Sequence, residues 1–367
     1  MKNEIKGSGI LYKKARDIDE YHYKIDRISE KEMILKMEYS TICGSDLHTY
    51  VGHRSFNGPT MIGHEGIGRI DALGDKITTD SFGRNVEIDD LVLFLPYLWC
   101  NHCEYCARSQ FTFCLNRTSV GSFAYGEGNL PRGTFSEHLV LPEGTQFIKI
   151  EDDGIPLYAL SPVNCALATV IRAFEDYTGN VFGKRVLILG AGGLGIYAVS
   201  IADSMGAREV YVIDKNRERL KFSEKYGATR TFTSAEELAN DSKFRTSDGF
   251  ADVALNLSGY PPLALEGIKL LKRSGRFIEI GTIFSAEING LDLSNFVVRG
   301  VNVTGFRTYE IRHLRDAYDF MVSKKYDYDF KSLVRVGHNL SDAKAAFEDA
   351  LKGQNVREGI RNMWGVS

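Results

Sequence analysis

The sequence predicts an α/β protein of two domains, one rich in β-strands and one a doubly wound parallel sheet. Three observations predict it. The chain has 367 residues, more than one ordinary domain of about 100–200. Up to about residue 155 it is rich in glycine and in short β-type runs. From Arg185 onward, strand-like and helix-like segments alternate, as in a parallel sheet covered by helices on both faces.

The strand-like runs of the first part are EMILKMEYS (32–40), GIGRIDALG (66–74), LVLFLPYLW (91–99) and TFSEHLVLP (134–142). RVLILG (185–190) then reads as a short buried strand and GLGIYAVSIADSMGA (193–207) as an apolar helix. EVYVID (209–214) is a second strand and NRERLKFSEKYGA (216–228) an amphipathic helix. ADVALNLS, PPLALEGIKLLKR and GRFIEIG continue as strand, helix and strand, and VNVTGF (301–306) adds one more strand. The last part is more charged, with surface helices at RHLRDAYDFMVSKK (312–325) and SDAKAAFEDALKG (341–353).

The composition, 43% hydrophobic and 25% charged, is ordinary for a soluble globular protein. Such a chain buries real cores without disulfide staples. A net charge of -3 gives no global attraction for nucleic acid or an anionic membrane, so neither is an expected partner. The N-terminal MKNEIKGSGILYKKARDIDEY has no apolar h-region and is not read as a signal peptide. The uncharged run of residues 186–202 is slightly short for a bilayer span. A cytoplasmic location is expected. In that reducing compartment the six cysteines read as thiols or metal ligands.

Gly190-Ala191-Gly192-Gly193-Leu194-Gly195 fits G-x-G-x-x-G, directly after a strand and opening a helix. Gly190 allows the tight turn, Gly192 lets the backbone approach a pyrophosphate, and Gly195 lets helix and strand pack closely. The helix N-terminus offers free N–H groups to the anion. Asp214 ends the next strand, where an acid accepts hydrogen bonds from the adenosine ribose. Its charge favours NAD over NADP, whereas Arg217 and Arg219 close behind weaken that preference; Arg219 is also a candidate cofactor contact. The alternative is a glycine-rich turn that binds no nucleotide.

Cys100, Cys103, Cys106 and Cys114 follow C-x2-C-x2-C-x7-C. Four thiolates so spaced make a closed tetrahedral zinc site, structural because no position is left for substrate. Disulfides are disfavoured by compartment. An iron–sulfur cluster is the other alternative, although the last gap and the lack of a following proline depart from the ferredoxin run. His102, between two of these cysteines, reads as a solvated loop residue. Cys43 in T-I-C-G-S-D-L-H, His64 in G-H-E and Cys165 in S-P-V-N-C-A-L-A-T are one His and two Cys, a set that leaves a fourth zinc position open. Spacing alone does not join them; a lone Cys is most often a small buried hydrophobe.

The chain resembles the zinc-dependent medium-chain dehydrogenase/reductase superfamily of alcohol, polyol and threonine dehydrogenases. The matching motifs are C-G-S-D-x-H at 43–48, G-H-E at 63–65, the four-cysteine lobe, the cysteine before A-L-A-T, and the glycine fingerprint with Asp214. They come in the family's order. The resemblance implies a GroES-like β catalytic domain over residues 1–157 and 307–367, with a structural zinc lobe near 97–116. An inserted Rossmann domain would take residues 158–306, and the active site would lie in the cleft between the two. It also implies a homodimer or homotetramer paired through VNVTGF.

The resemblance further implies two zinc ions per chain. Cys43, His64 and Cys165 would hold the catalytic one, and Cys100, Cys103, Cys106 and Cys114 the structural one. Ser45 matches the hydroxyl that touches the substrate oxygen, and His48 the relay base. Asp46 matches the carboxylate that orients an imidazole ligand, and Glu65 an acid beside the metal. For each of these four, the other reading is a polar turn or surface residue. The implied reaction interconverts an alcohol and a ketone or aldehyde with NAD. The alternatives are reduction of a C=C or C=N bond, a phosphonate-type anionic substrate met by Arg54 and Arg132, and a non-enzymatic binding protein. Two stretches are longer than the compact polyol type: residues 119–133, which could shape the cleft, and residues 75–87, read as a surface hairpin.

Overall fold

The computed structural model describes residues 4–126, 130–241 and 248–362. The chain divides into two units, Met1–Ala168 with Thr308–Ser367, and Thr169–Arg307. The first division falls later than the expected 157/158. The reason is a continuous helical run, Leu157–Thr178, whose first turn, Leu157–Leu160, packs on strands of the first unit. By length and composition this helix could cross a membrane, but 89% of its most apolar window is buried in the protein.

The first unit holds the β-rich architecture. One sheet runs Asp17–Ile25, Ile5–Lys14, Thr60–Met61 and Phe123–Ala124. A larger one runs Phe147–Lys149, Leu91–Phe94, Glu65–Leu73, Met33–Thr41, Arg357–Arg361 and Val334–Asn339, with His138–Leu141 also on Met33–Thr41. Inward residues such as Leu35, Met37, Ile70, Val92, Phe94 and Leu139 are fully excluded from water and make one core. Burial of that kind is the main stabilising term for such a sheet, about 1.5–3 kcal/mol per large side chain.

Register places the site. Thr41 pairs with Glu65 on one side and with Gly359 on the other. The chain's last strand therefore returns to the strand that leads into Cys43. That strand and its parallel partner Val334–Asn339 are absent from the sequence reading, because REGIR has a single large apolar residue and no alternation to detect. The two C-terminal helices are Ile311–Lys324 and Ala343–Lys352. Each buries one stripe, with Leu314, Ala317 and Met321 on the first and Ala346 and Phe347 on the second wholly excluded from water.

Residues 75–87 do form a hairpin, with Thr79 opposite Asn85. It is anchored by the buried Asp80 carboxylate, which accepts from the amides of Phe82, Arg84 and Lys149. In the 119–133 segment, Thr118–Ser119 pairs with Tyr97–Leu98 and Phe123–Ala124 with Thr60–Met61. Its residues 127–129 lie outside the described residues.

The second unit is a six-stranded parallel sheet. Its strand order is Arg230–Phe232, Glu209–Ile213, Arg185–Leu189, Ala251–Asn256, Leu271–Glu279, Asn302–Gly305. In chain order this is 3-2-1-4-5-6, the doubly wound dinucleotide-binding order. Helices Gly193–Ser204, Arg217–Glu224 and Pro261–Lys269 match the expected segments. The third is shorter than PPLALEGIKLLKR, because Leu271 already pairs with Ala251 as a strand residue. Helix Arg217–Glu224 starts at Asn216, whose side chain accepts from the amides of Glu218 and Arg219.

Candidate functional site

Three distant segments bring Cys43, His64, Glu65 and Cys165 together. One possible ligand atom from each lies within 4.8 Å of all the others. Cys43 caps the N-terminus of helix Gly44–Tyr50. His64 precedes strand Glu65–Leu73. Cys165 sits in the wide helical turn Val163–Leu167, a type of winding that recurs at functional sites. Buried Asn164 fixes that turn. Its Oδ1 accepts from the Gly66 amide at 3.2 Å, and its Nδ2 donates to the carbonyls of Phe94 and His64 at 3.2 and 3.3 Å.

The set fits zinc. Zn–S bonds of about 2.3 Å at tetrahedral angles put two sulfurs about 3.8 Å apart, and Cys43 Sγ and Cys165 Sγ are 3.9 Å apart. Asp46 Oδ1 lies 3.2 Å from His64 Nδ1, which leaves Nε2 as the ligand nitrogen. Asp46 Oδ2 accepts the Cys43 amide at 3.0 Å, so one carboxylate positions two ligands. Electrostatics agree with a cation site. Cys165 beside it and then His64 hold the Cys43 thiol well below its ordinary value, while Cys43 pushes Cys165 up. At His64 burial disfavours the charged ring, but Asp46 and Cys43 outweigh it and raise its proton affinity.

Glu65 is fully buried, and burial pushes its carboxyl up to about 8 against the pull of Arg357. Its Oε2 accepts from Arg357 Nη1 at 2.5 Å and from Thr41 Oγ1 at 2.8 Å. Its Oε1 has no hydrogen-bond partner among the described residues. A buried acceptor left open beside two thiols is itself consistent with a cation there. Arg357 escaped the sequence reading, as did Tyr309, a fully buried residue whose hydroxyl donates to the Asn164 carbonyl. Neither lies in a local motif; only strand register could have found Arg357.

Ser45 Oγ is 3.4 Å from His64 Nε2, at the edge of the ligand group. His48 is in the last turn of the same helix, and its Nδ1 lies 3.2 Å from His53 Nδ1. Burial, then His53 and Arg54, lower its proton affinity. Arg54 Nη1 is 3.4 Å from the Ser45 carbonyl. Arg132 does not join it. Its guanidinium is held by Glu32 at 2.5 Å and by the Val140 carbonyl at 3.0 Å, so it is a structural ion pair rather than an anion contact.

The four-cysteine lobe closes as spacing predicts, with ligand atoms of Cys100, Cys103, Cys106 and Cys114 mutually within 4.8 Å. All six cysteines are free thiols. Backbone amides point at the sulfurs; the Cys100 amide is 3.3 Å from Cys114 Sγ. Chiefly through the His102 amide, Cys100 is drawn down to about 5, while burial pushes Cys106 up to about 12. The His102 side chain is exposed, with Nδ1 2.6 Å from the Cys100 carbonyl.

In the second unit Gly190 has φ +101, a conformation that disfavours any side chain. A Cβ on Gly195 would fall 1.9 Å from the Gly190 carbonyl oxygen. Around Gly192 the space is open, with only Arg219 Nη1 at 4.0 Å from where a Cβ would be. That opening, at the start of helix Gly193–Ser204, is room for a ligand to approach the backbone of Gly192, Gly193 and Leu194. Asp214 Oδ2 accepts the Ala191 amide at 2.7 Å and Oδ1 the Asn216 amide at 2.8 Å, which fixes the carboxylate beside the turn. Arg219 Nε is buried with no hydrogen-bond partner among the described residues.

Comparison with known proteins fits this geometry. Residues 29–152 match the family model of the alcohol dehydrogenase GroES-like domain, and residues 193–323 that of zinc-binding dehydrogenases. The chain is 26% identical over 333 residues to 5-exo-hydroxycamphor dehydrogenase of Pseudomonas putida, covering 89% of this chain and 91% of that one. It is 27% identical over 343 residues to L-threonine 3-dehydrogenase of Caldanaerobacter subterraneus, covering 90% and 91%. An alcohol dehydrogenase structure from Thermotoga maritima superimposes with a TM-score of 0.90 at 26% identity, covering 98% of this chain and all of that one.

Proposed function

The chain is a zinc-dependent medium-chain dehydrogenase/reductase, an oxidoreductase, and from that premise we propose that it oxidises an alcohol to a ketone or aldehyde with NAD, and the reverse. The observation that carries this reading is the convergence of Cys43, His64, Glu65 and Cys165 within 4.8 Å. Cys43, His64 and Cys165 would hold one zinc and leave a position open, and the four-cysteine lobe would hold a second. When bound, the catalytic metal supplies Lewis acidity to an alcohol oxygen and the nicotinamide accepts the hydride.

The chain's own residues do the rest. Asp46 fixes the tautomer of His64 and the place of Cys43. Ser45 Oγ, beside His64 Nε2, takes the proton of the substrate hydroxyl, and His48 carries it onward. One alcohol hydrogen leaves as hydride and one as a proton. The backbone of Gly192, Gly193 and Leu194 would hold the cofactor's pyrophosphate. Asp214 accepts from the adenosine ribose and repels a 2′-phosphate, which supports NAD over NADP. Hydroxycamphor and threonine, named for the two relatives, both carry a hydroxyl group, in keeping with an alcohol substrate here. Arg54 next to Ser45 favours a second reading in which that alcohol also bears an anionic group.

Assembly is proposed from the sheet edge. Strand Asn302–Gly305 ends the parallel sheet, with Val303 exposed and Leu293, Val297 and Val298 exposed nearby in the chain. An uncovered edge with apolar neighbours suits pairing with a second copy. Val303→Lys should shift the mass in solution toward the monomer in light scattering. The activity test is a panel of neutral, amino, phosphorylated and carboxylated alcohols with NAD and NADP, read at the reduced-nicotinamide band. No absorbance change across the panel would remove the reading.

A further inference from the structure

Helix Gly44–Tyr50 ends in a turn that folds the chain back on it. The Val51 amide donates to the Leu47 carbonyl and Gly52 to Thr49, both at 2.9 Å. Gly52 has φ +87, and a Cβ there would sit 2.9 Å from the Ala15 Cβ. Beyond it the His53 amide donates to the His48 carbonyl at 2.9 Å. The two imidazoles therefore lie side by side, with centroids 5.4 Å apart, planes tilted by 34° and Nδ1 atoms 3.2 Å apart. Two ring nitrogens hydrogen-bond only when one carries a proton and the other a lone pair. One proton thus sits between the rings. His48 is half-buried and His53 exposed, which gives the pair an inner and an outer end.

We propose that His53 takes the reaction's proton from His48 and delivers it to water, so that a pair of imidazoles forms the outlet. The proposal rests on the reading of His48 as the relay base. In alcohol oxidation a proton arrives at His48 Nε2. The N–H bond at His48 Nδ1 breaks as one forms at His53 Nδ1, and His53 gives its Nε2 proton to water. No electrons move and no further reactant is needed. His53 touches no substrate; it acts through His48.

The surroundings favour this direction. Burial first, then His53 and Arg54, disfavour a charged His48, and Cys43 at the other end of the helix opposes them. The helix packed against this one, Ala343–Lys352, contributes Glu348, which is engaged by Tyr50 and Arg16. A charged ring is therefore disfavoured at half-buried His48, while the exposed His53 ring beside it reaches water.

The test uses the zinc-loaded, full-length protein, as wild type, His53→Gln and His48→Gln. Glutamine keeps a hydrogen-bonding side chain but cannot carry the proton. His53→Gln should slow alcohol oxidation about tenfold at around pH 6–7 with KM unchanged. Higher pH or added imidazole should restore the rate. A His53→Gln profile superimposed on wild type, while His48→Gln departs, overturns the proposal alone. If neither variant departs, the relay reading itself fails. Ring ¹⁵N titration by NMR decides independently of turnover. His53→Gln should raise the His48 midpoint, and an unmoved midpoint overturns the proposal.

Discussion

Arg357 donates to Glu65 at 2.5 Å across 292 positions of sequence, with the two side chains only 4% and 0% exposed. The bond ties the last strand to the residue that follows a metal ligand. Removing one member of such a pair leaves the other buried without compensation, at a cost of about 3–5 kcal/mol. Arg357→Met should therefore lower the urea midpoint strongly, and Glu65→Gln added to it should recover part of the loss. Equal midpoints for wild type and Arg357→Met would show that the pair does not support the fold.

Asp46 holds His64 and Cys43 at once. Asp46→Asn should weaken zinc at the Cys43–His64–Cys165 site by about 10–100-fold while the four-cysteine site keeps its metal. Competition with a chromophoric chelator, followed by metal analysis, separates the two ions. Unchanged release kinetics would assign the orienting role elsewhere.

Asp214 sets the cofactor prediction. Asp214→Ala removes a carboxylate that would face a 2′-phosphate, and like charges so placed cost several kcal/mol. The ratio of kcat/KM for NAD to that for NADP should fall by at least about tenfold. A constant ratio would move ribose recognition to Arg219, whose guanidinium lies over the same turn.

His138 makes stability pH-dependent. Burial first, and Lys36 next, lower its pKa from 6.5 to about 4, while Tyr23 Oη lies 3.0 Å from its Nδ1. An unfolded chain binds the proton near 6.5, and the folded one only near 4. Stability is thus fully present above pH 6.5 and is lost as pH falls toward 4, by up to about 3 kcal/mol. Thermal melts of wild type should show this loss, and His138→Gln should lack that part of it. Parallel curves for both proteins would remove the assignment.

The sequence carried much of this site because several of its parts are local. The glycine turn is a strand, three fixed positions and a helix start; φ +101 at Gly190 requires glycine itself. The four-cysteine knuckle closes within fifteen residues, so chain geometry nearly dictates its shape. Of the Asp46 contacts only the one to the Cys43 amide, three residues back, is local; its place beside His64 was named only as a resemblance. Arg132, named only for the anionic-substrate alternative, could not be placed for the opposite reason. An arginine in a loop gives no sign of whether a distant Glu32 already holds it.

By itself, then, the sequence determined the two architectures, the glycine fingerprint and the closed thiol site, because each arises from interactions that short stretches of chain impose on themselves. It named Cys43, His64 and Cys165 only as a resemblance, with no local force to join them. Tertiary structure decided that they meet, through the pairing of Thr41 with Glu65 and the staple of Asn164. It alone decided that Arg357 stands behind Glu65, because a strand without alternation acquires its place only from the hydrogen-bond ladder of its neighbour. It also turned His53 onto His48, since a ring five residues on can swing either way until Gly52 fixes the turn.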